Sequence, residues 1–263
     1  MVVLPDRDEV LEQLAPITDA IRWAIAAAER STADQYEPAT GHDNRWLGNT
    51  RRNQIIDRID RGLGTGNYAP PREPDAPNDD SRIFQTLNEF EIDSRPLVDP
   101  GSVRREDICQ SVSWRYGDYR LFLQSFRSES FDDWNWSKQR SKVKLAIARN
   151  TYAAEHRPGV QLSLDIEIPT ASAESLSSSE MFPEIPILLA YRVSPSGIEA
   201  GLGLSRDNTY GGSPWHWLSE LAPWDTDAMI KPQSVSETPP SRINKQVSLK
   251  QSDQWPKRKS DNK

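Results

Sequence analysis

Cysteine is nearly missing from this chain, and long apolar runs are missing altogether. The one cysteine, Cys109, excludes an intrachain disulfide and an all-cysteine zinc knuckle. In Asp107-Ile-Cys-Gln110, just ahead of an apolar alternation, it is expected to pack as a small hydrophobe. Such cysteine poverty fits a reducing compartment. No uninterrupted apolar stretch reaches the roughly 18 residues a bilayer crossing needs. The segment Met1-Val-Val-Leu-Pro-Asp6 has no basic lead and reads as no signal peptide, so the cytoplasm is the expected location and no membrane partner is expected. Glycine is sparse too: 20 prolines outnumber 13 glycines, and neither a Gly-x-x-x-x-Gly-Lys loop nor a Gly-x-Ser-x-Gly elbow occurs. The three histidines show no metal-ligand spacing, so no metal and no cofactor is expected.

What is present is polar but not uniformly so. Hydrophobic residues make up 36% of the 263 and mean hydropathy is −0.72, too polar for a chain folded from end to end. Nine tryptophans, however, are too many for a disordered one. A packed core with unstructured segments reconciles the two. Net charge is −7, yet the stretch from Lys231 onward carries eight Lys or Arg against three acids. That leaves −12 on residues 1–230, which disfavours bulk attraction to nucleic acid while the basic end permits a local contact.

The pattern predicts an α+β fold: N-terminal helices with a mainly antiparallel β-sheet and a disordered C-terminal tail. Val10, Leu14, Ile17, Ile21, Ala24 and Ala28 mark one helical face, and Pro16 is expected to split it into a short and a longer helix. A second helix, capped by Asn49 or Thr50, runs to about Leu63 on Ile55, Ile56 and Ile59, and Gly62, Gly64 and Gly66 stop it. Residues 1–68 thus form a helical part, 69–82 a proline-rich linker or long loop, 83–226 a sheet-bearing α+β part of the same domain, and 227–263 a disordered basic tail. Hairpins are expected at 112–123 around Gly117-Asp118 and at 187–204 around Ser194-Pro-Ser-Gly197. The cleanest alternation is Val160, Leu162, Leu164, Ile166 and Ile168, with Asp165 and Glu167 on a solvated face. Residues 142–149 satisfy both periods: alternation favours a strand, alanine content and length a helix.

Three constellations bear on function. Arg149-Asn150, followed by His156, resembles the active-site motif of HEPN-type ribonucleases. The resemblance implies cleavage of RNA without metal, across a dimer of helical subunits, with Arg149, Asn150 and His156 as catalytic residues. The chemistry is coherent, because an imidazole can shuttle the 2′-hydroxyl proton while a guanidinium neutralises phosphate. Arg51, Arg52, Arg58 and Arg61 give the second helix a basic face able to touch nucleic-acid phosphates, with Asp57 and Asp60 placed to pair with those arginines instead. Trp134, Trp136, Trp215 and Trp217 fall in loop-like contexts, where they would serve as partner-binding anchors or as lids on the core. Since no enzymatic site assembles, the leading expectation is a non-catalytic protein-binding or regulatory protein, partnered with another protein or acting as a subunit of a bacterial-type operon-encoded system. A nucleic-acid binder or metal-independent ribonuclease is the alternative.

Overall fold

A computed structural model describes residues 4–70, 81–150, 184–194 and 197–224. It is an α+β fold. Among the described residues, helices α1 (Arg7–Gln35), α2 (Asn44–Leu63), α3 (Ser81–Phe84), α4 (Glu89–Asp93) and α5 (Lys142–Asn150) accompany a six-stranded sheet. The strands are β1 (Val103–Arg105), β2 (Ser113–Tyr116), β3 (Tyr119–Phe126), β4 (Ile185–Ser194), β5 (Gly197–Ser205) and β6 (Trp215–Leu221). They lie side by side in chain order, all neighbours antiparallel except the parallel pair β3–β4. A parallel pair needs a crossover, and α5 lies on it. Buried ion pairs secure the start of β4: Arg120 donates to Glu184 at 3.1 and 3.2 Å and to Glu106 at 2.8 Å.

Helix α1 is continuous, contrary to the break expected at Pro16. Pro16 is exposed, so water can take up the carbonyl its ring leaves unbonded, while Leu14, Ile17 and Ile21 remain on the buried stripe. The Asp6 carboxylate caps the helix by accepting from the amides of Asp8 and Glu9. Helix α2 starts at Asn44, earlier than expected, because Asp43 caps it and accepts from the Trp46 amide at 2.7 Å. Of the three glycines expected to stop it, Gly64 is the left-handed cap (φ 61°), whereas Gly62 lies inside the helix. A Cβ there would stand 3.3 Å from the Ala20 carbonyl oxygen and from the Trp23 ring, so the glycine lets α1 and α2 pack closely at this point.

The pleat sends alternate residues to two cores. Tyr119, Leu121, Leu123, Ile187, Leu189, Tyr191, Leu202 and Leu204 face α1 and α2. Phe122, Phe126, Leu188 and Ala190 face α5 and an aromatic cluster of Phe131, Trp136 and Trp215. The twice-periodic segment is helical: Val143 and Ile147, four apart, are buried together. Hairpins β2–β3 and β4–β5 form in the expected places, the first turning at Gly117 (φ 55°). Cys109 does not pack as a hydrophobe. It is exposed, at φ 45°, in a tight turn where Ile108 and Ser111 exchange backbone hydrogen bonds. The strand expected at 160–168, with Asp165 and Glu167, and the tail expected from 227 lie outside the described residues.

Candidate functional site

A polar surface is built on the C-terminal half of α2. A cleft of about 380 Å³ is lined by Asn53, Ile56, Asp57, Asp60, Gly66, Asn67, Tyr68, Arg105 and Asp107. Helical spacing puts Asn53, Asp57 and Asp60 on one face, the turn after α2 brings Tyr68 back over it, and β1 supplies Arg105.

Both oxygens of Asp57 are engaged. Oδ1 accepts from the Tyr68 hydroxyl at 2.6 Å, and Oδ2 accepts from Arg58 Nη1 at 2.7 Å and Arg61 Nε at 2.8 Å. Burial alone would raise its pKa, but the bonds from Arg61 and Tyr68 and the two guanidinium charges hold it below the usual carboxylate range. Tyr68 answers in kind, its pKa pushed up to about 12 by burial and then by the bond to Asp57. Asp60 is buried: Oδ1 accepts from Thr65 Oγ1 at 2.7 Å and Trp114 Nε1 at 2.8 Å, and Oδ2 from Arg105 Nη1 at 2.5 Å. Here burial prevails over those donors and the pKa is raised. Gly66, at φ 59°, keeps this arrangement possible, since a Cβ would stand 2.9 Å from Asp60 Oδ2. Arg105 completes the floor, bidentate on Asp107 at 2.5 and 2.9 Å with its guanidinium over the Trp114 ring. Burial raises the Asp107 carboxyl, and the bonds from Arg105 and the Ser113 amide more than reverse that. At the mouth, the Asn53 and Asn67 side chains are exposed.

The arginines expected to form a nucleic-acid face divide sharply. Arg58 and Arg61 are buried, 4% and 6% exposed, with Arg61 also donating to the carbonyls of Arg82, Ile83 and Gln85. Arg51 is bidentate on Glu29 at 2.7 and 2.9 Å. These three are committed within the molecule. Arg52 is half-buried, and among the described residues it makes no hydrogen bond or ion pair. It lies within electrostatic range of Asp107, Lys144 and Tyr191.

The tryptophans divide as well. Trp136 and Trp215 are buried, donating Nε1 to the carbonyls of Pro214 and Phe131, and so present no surface to a partner. Trp134 and Trp217 are half-buried. A bulge between Leu204 and Ser205 sends Trp215 and Trp217, two residues apart, to opposite faces. Arg149 sits in the last turn of α5, 4.0 Å from Asp207, and Asn150 ends that helix. His156 lies outside the described residues. Of the ribonuclease-like trio, the described residues therefore bring together only Arg149 and Asn150, neighbours in sequence. Among the described residues there is no group of three or more His, Cys, Asp or Glu side chains arranged to hold a metal ion, and no helix long and apolar enough to cross a membrane.

Sequence reasoning found the Asp57–Arg61 pairing, through its i, i+4 spacing. It missed Asp60 with Trp114, Tyr68, Arg105 and Lys144, whose partners come from other elements. No protein-family model, curated protein or solved structure matches the chain.

Proposed function

We propose that the protein is a non-catalytic binding or regulatory protein that meets a protein partner at the α2 cleft. The observation that supports this most directly is the state of the three cleft carboxylates. Each is held by donors from within the chain, so the cleft has a fixed shape and a fixed pattern of charge. A preorganised polar cleft with exposed amides at its mouth suits recognition, because little ordering is left to oppose binding. General-base catalysis calls instead for a carboxylate lone pair aimed at a substrate proton, and both oxygens of Asp57 and of Asp60 accept internal bonds. A nucleic-acid binder or a ribonuclease using Arg149, Asn150 and His156 is the second reading, favoured by the helical state of 142–150.

One experiment separates the two. The full chain and an Asn53→Arg/Asn67→Arg double variant are used for affinity capture, with and without nuclease treatment, and each is incubated with single-stranded RNA. The expected outcome is a protein partner retained after nuclease treatment and lost with the double variant, with the RNA intact. A partner released by nuclease, or RNA cleavage that disappears in His156→Ala, would reverse the order of the two readings.

A further inference from the structure

We infer that the α2 cleft takes a basic side chain of its partner, arginine before lysine. This rests on the reading of the cleft as a protein-binding site and names the chemistry it selects. Charge is not presented evenly there. The Asp57 and Asp107 side chains are 33% and 40% exposed, whereas those of Arg58, Arg61 and Arg105 are 5%, 8% and 19% exposed. Buried Arg58 and Arg61 both reach Asp57 at Oδ2, and neither lines the cleft. Arg58 is moreover shared with buried Glu91 at 3.7 Å. The lining itself holds Asp57, Asp60 and Asp107 against Arg105. An entering group therefore meets carboxylate before guanidinium.

Acceptor capacity points the same way. An ionised carboxylate offers about four acceptor positions. Asp57 receives donors from Tyr68, Arg58 and Arg61, and Asp60 from Thr65, Trp114 and Arg105. Asp107 receives two from Arg105 and one from the Ser113 amide at 3.2 Å. With three donors apiece, each keeps about one position, and all three line a single cleft with Asn53 and Asn67 at its mouth. The internal bonds hold Asp57 and Asp107 below the usual carboxylate range, so both stay charged and accept a donor without taking its proton. An acidic ligand is disfavoured, because Arg105 is already flanked by Asp60 and Asp107. Size narrows the choice further. At about 380 Å³ the cleft stands at the small end of ligand sites, roughly 300–1,000 Å³, and suits one side chain. A guanidinium carries five donors in one plane and sheds water more readily than an ammonium, so it serves several carboxylates at once. Its methylene stem can lie on Ile56, an apolar residue of the lining.

The test uses the isotope-labelled full chain and three probes: Nα-acetyl-arginine amide, its lysine counterpart, and its citrulline counterpart, which keeps the shape and loses the charge. The backbone amides of Gly66 and Asn67 are followed by NMR. The arginine probe should shift both saturably and the lysine probe should bind more weakly. The citrulline probe should bind about tenfold more weakly or worse, as loss of a bond between charged groups gives. Asp107→Asn should bring the arginine probe toward the citrulline value, whereas Asp93→Asn, at an exposed acid outside the lining, should leave it unchanged. Equal affinity of the arginine and citrulline probes, or no shift of Gly66 and Asn67 by the arginine probe, would overturn the inference whatever the variants do. Failure of the protein-partner reading looks different: the nuclease-treated capture retains no protein, whatever the probes do. A partner retained by a cleft blind to charge removes the preference for a basic side chain alone.

Discussion

The two faces of the sheet are packed on different principles. The α1–α2 face is mainly aliphatic and regular in sequence: two long helices supply Leu14, Ile17, Ile21, Ile55 and Ile59, and directed bonds are confined to its two buried tryptophans, Trp23 donating to the Glu91 carbonyl and Trp114 to Asp60. The opposite face is aromatic and assembled from loops. Phe126 meets Phe131, Trp134 and Trp136 edge-on at 5.1–6.3 Å, and Trp136 meets Trp215 at 6.2 Å. Asn208 locks it, accepting from the Trp136 amide and donating to the Trp134 carbonyl. The first face relies mostly on area, the second mostly on direction. Apolar area tolerates exchange of one aliphatic shape for another, whereas directed N–H donors do not.

That contrast is most exposed to failure at Trp136. Trp136→Ala should cost about 3–5 kcal/mol, as large-to-small changes in a core do. Trp136→Phe keeps a ring but loses the indole N–H, which shares the Pro214 carbonyl with the Arg206 amide, and leaves space where the larger ring stood; it should still cost about 1–3 kcal/mol. Leu14→Met, on the aliphatic face, should cost less than about 1.5 kcal/mol. Urea unfolding measures all three, and equal penalties for Trp136→Phe and Leu14→Met would erase the distinction between the faces.

The same difference explains what was legible in the sequence. The aliphatic face writes itself as a 3.6-residue stripe along α1 and α2 and as a two-residue alternation along β3, β4 and β5, so both helices and both hairpins could be read directly. Pro16 misled because a proline on the exposed side of a helix interrupts bonding but not packing. The aromatic face has no period to read. Trp136 and Trp215 are 79 positions apart, and whether Trp215 or Trp217 turns inward was decided by a bulge. The cleft was half legible. Asp57 and Arg61 are one helical turn apart, but the partners of Asp60 come from β1, from β2 and from the turn after α2. Long-range pairs of this kind leave no trace in local spacing.

A smaller effect is expected where charge, not shape, is directed. Beneath this face, buried Asp60 ties α2 to β1 and β2 through Arg105 and Trp114. Asp60→Asn keeps the volume and an acceptor for Thr65 and Trp114, but turns a donor toward Arg105. The expected loss is about 1–2 kcal/mol, toward the low end for an unsatisfied polar group because Arg105 retains Asp107. It would be read as a fall in the urea midpoint at constant slope. A variant as stable as the parent would show that this face is indifferent to directed bonds throughout, and that the contrast with the aromatic face is complete.

The smallest effect belongs to Lys144, at the edge between the two faces, and its sign is fixed by linkage. In the unfolded chain a lysine titrates near 10.4, whereas in the folded chain burial and Arg52 bring Lys144 down to about 8. Between those values the unfolded state binds more protons, so stability should rise as pH goes from 8 toward 10. The gain should be about 1 kcal/mol, well below the full shift, because the Lys144 residue keeps partial access to water, which screens the charge. Tyr68, Tyr119 and Tyr191 act with the opposite sign: their folded pKa values are raised, so above pH 10 the unfolded state loses protons first and stability falls. The stability profile should therefore pass through a shallow maximum near pH 10. Lys144→Met should remove the rising limb and leave the falling one. Equilibrium urea unfolding at about pH 7.5, 9, 10 and 11 measures both limbs. A limb that survives Lys144→Met would move its origin to another group.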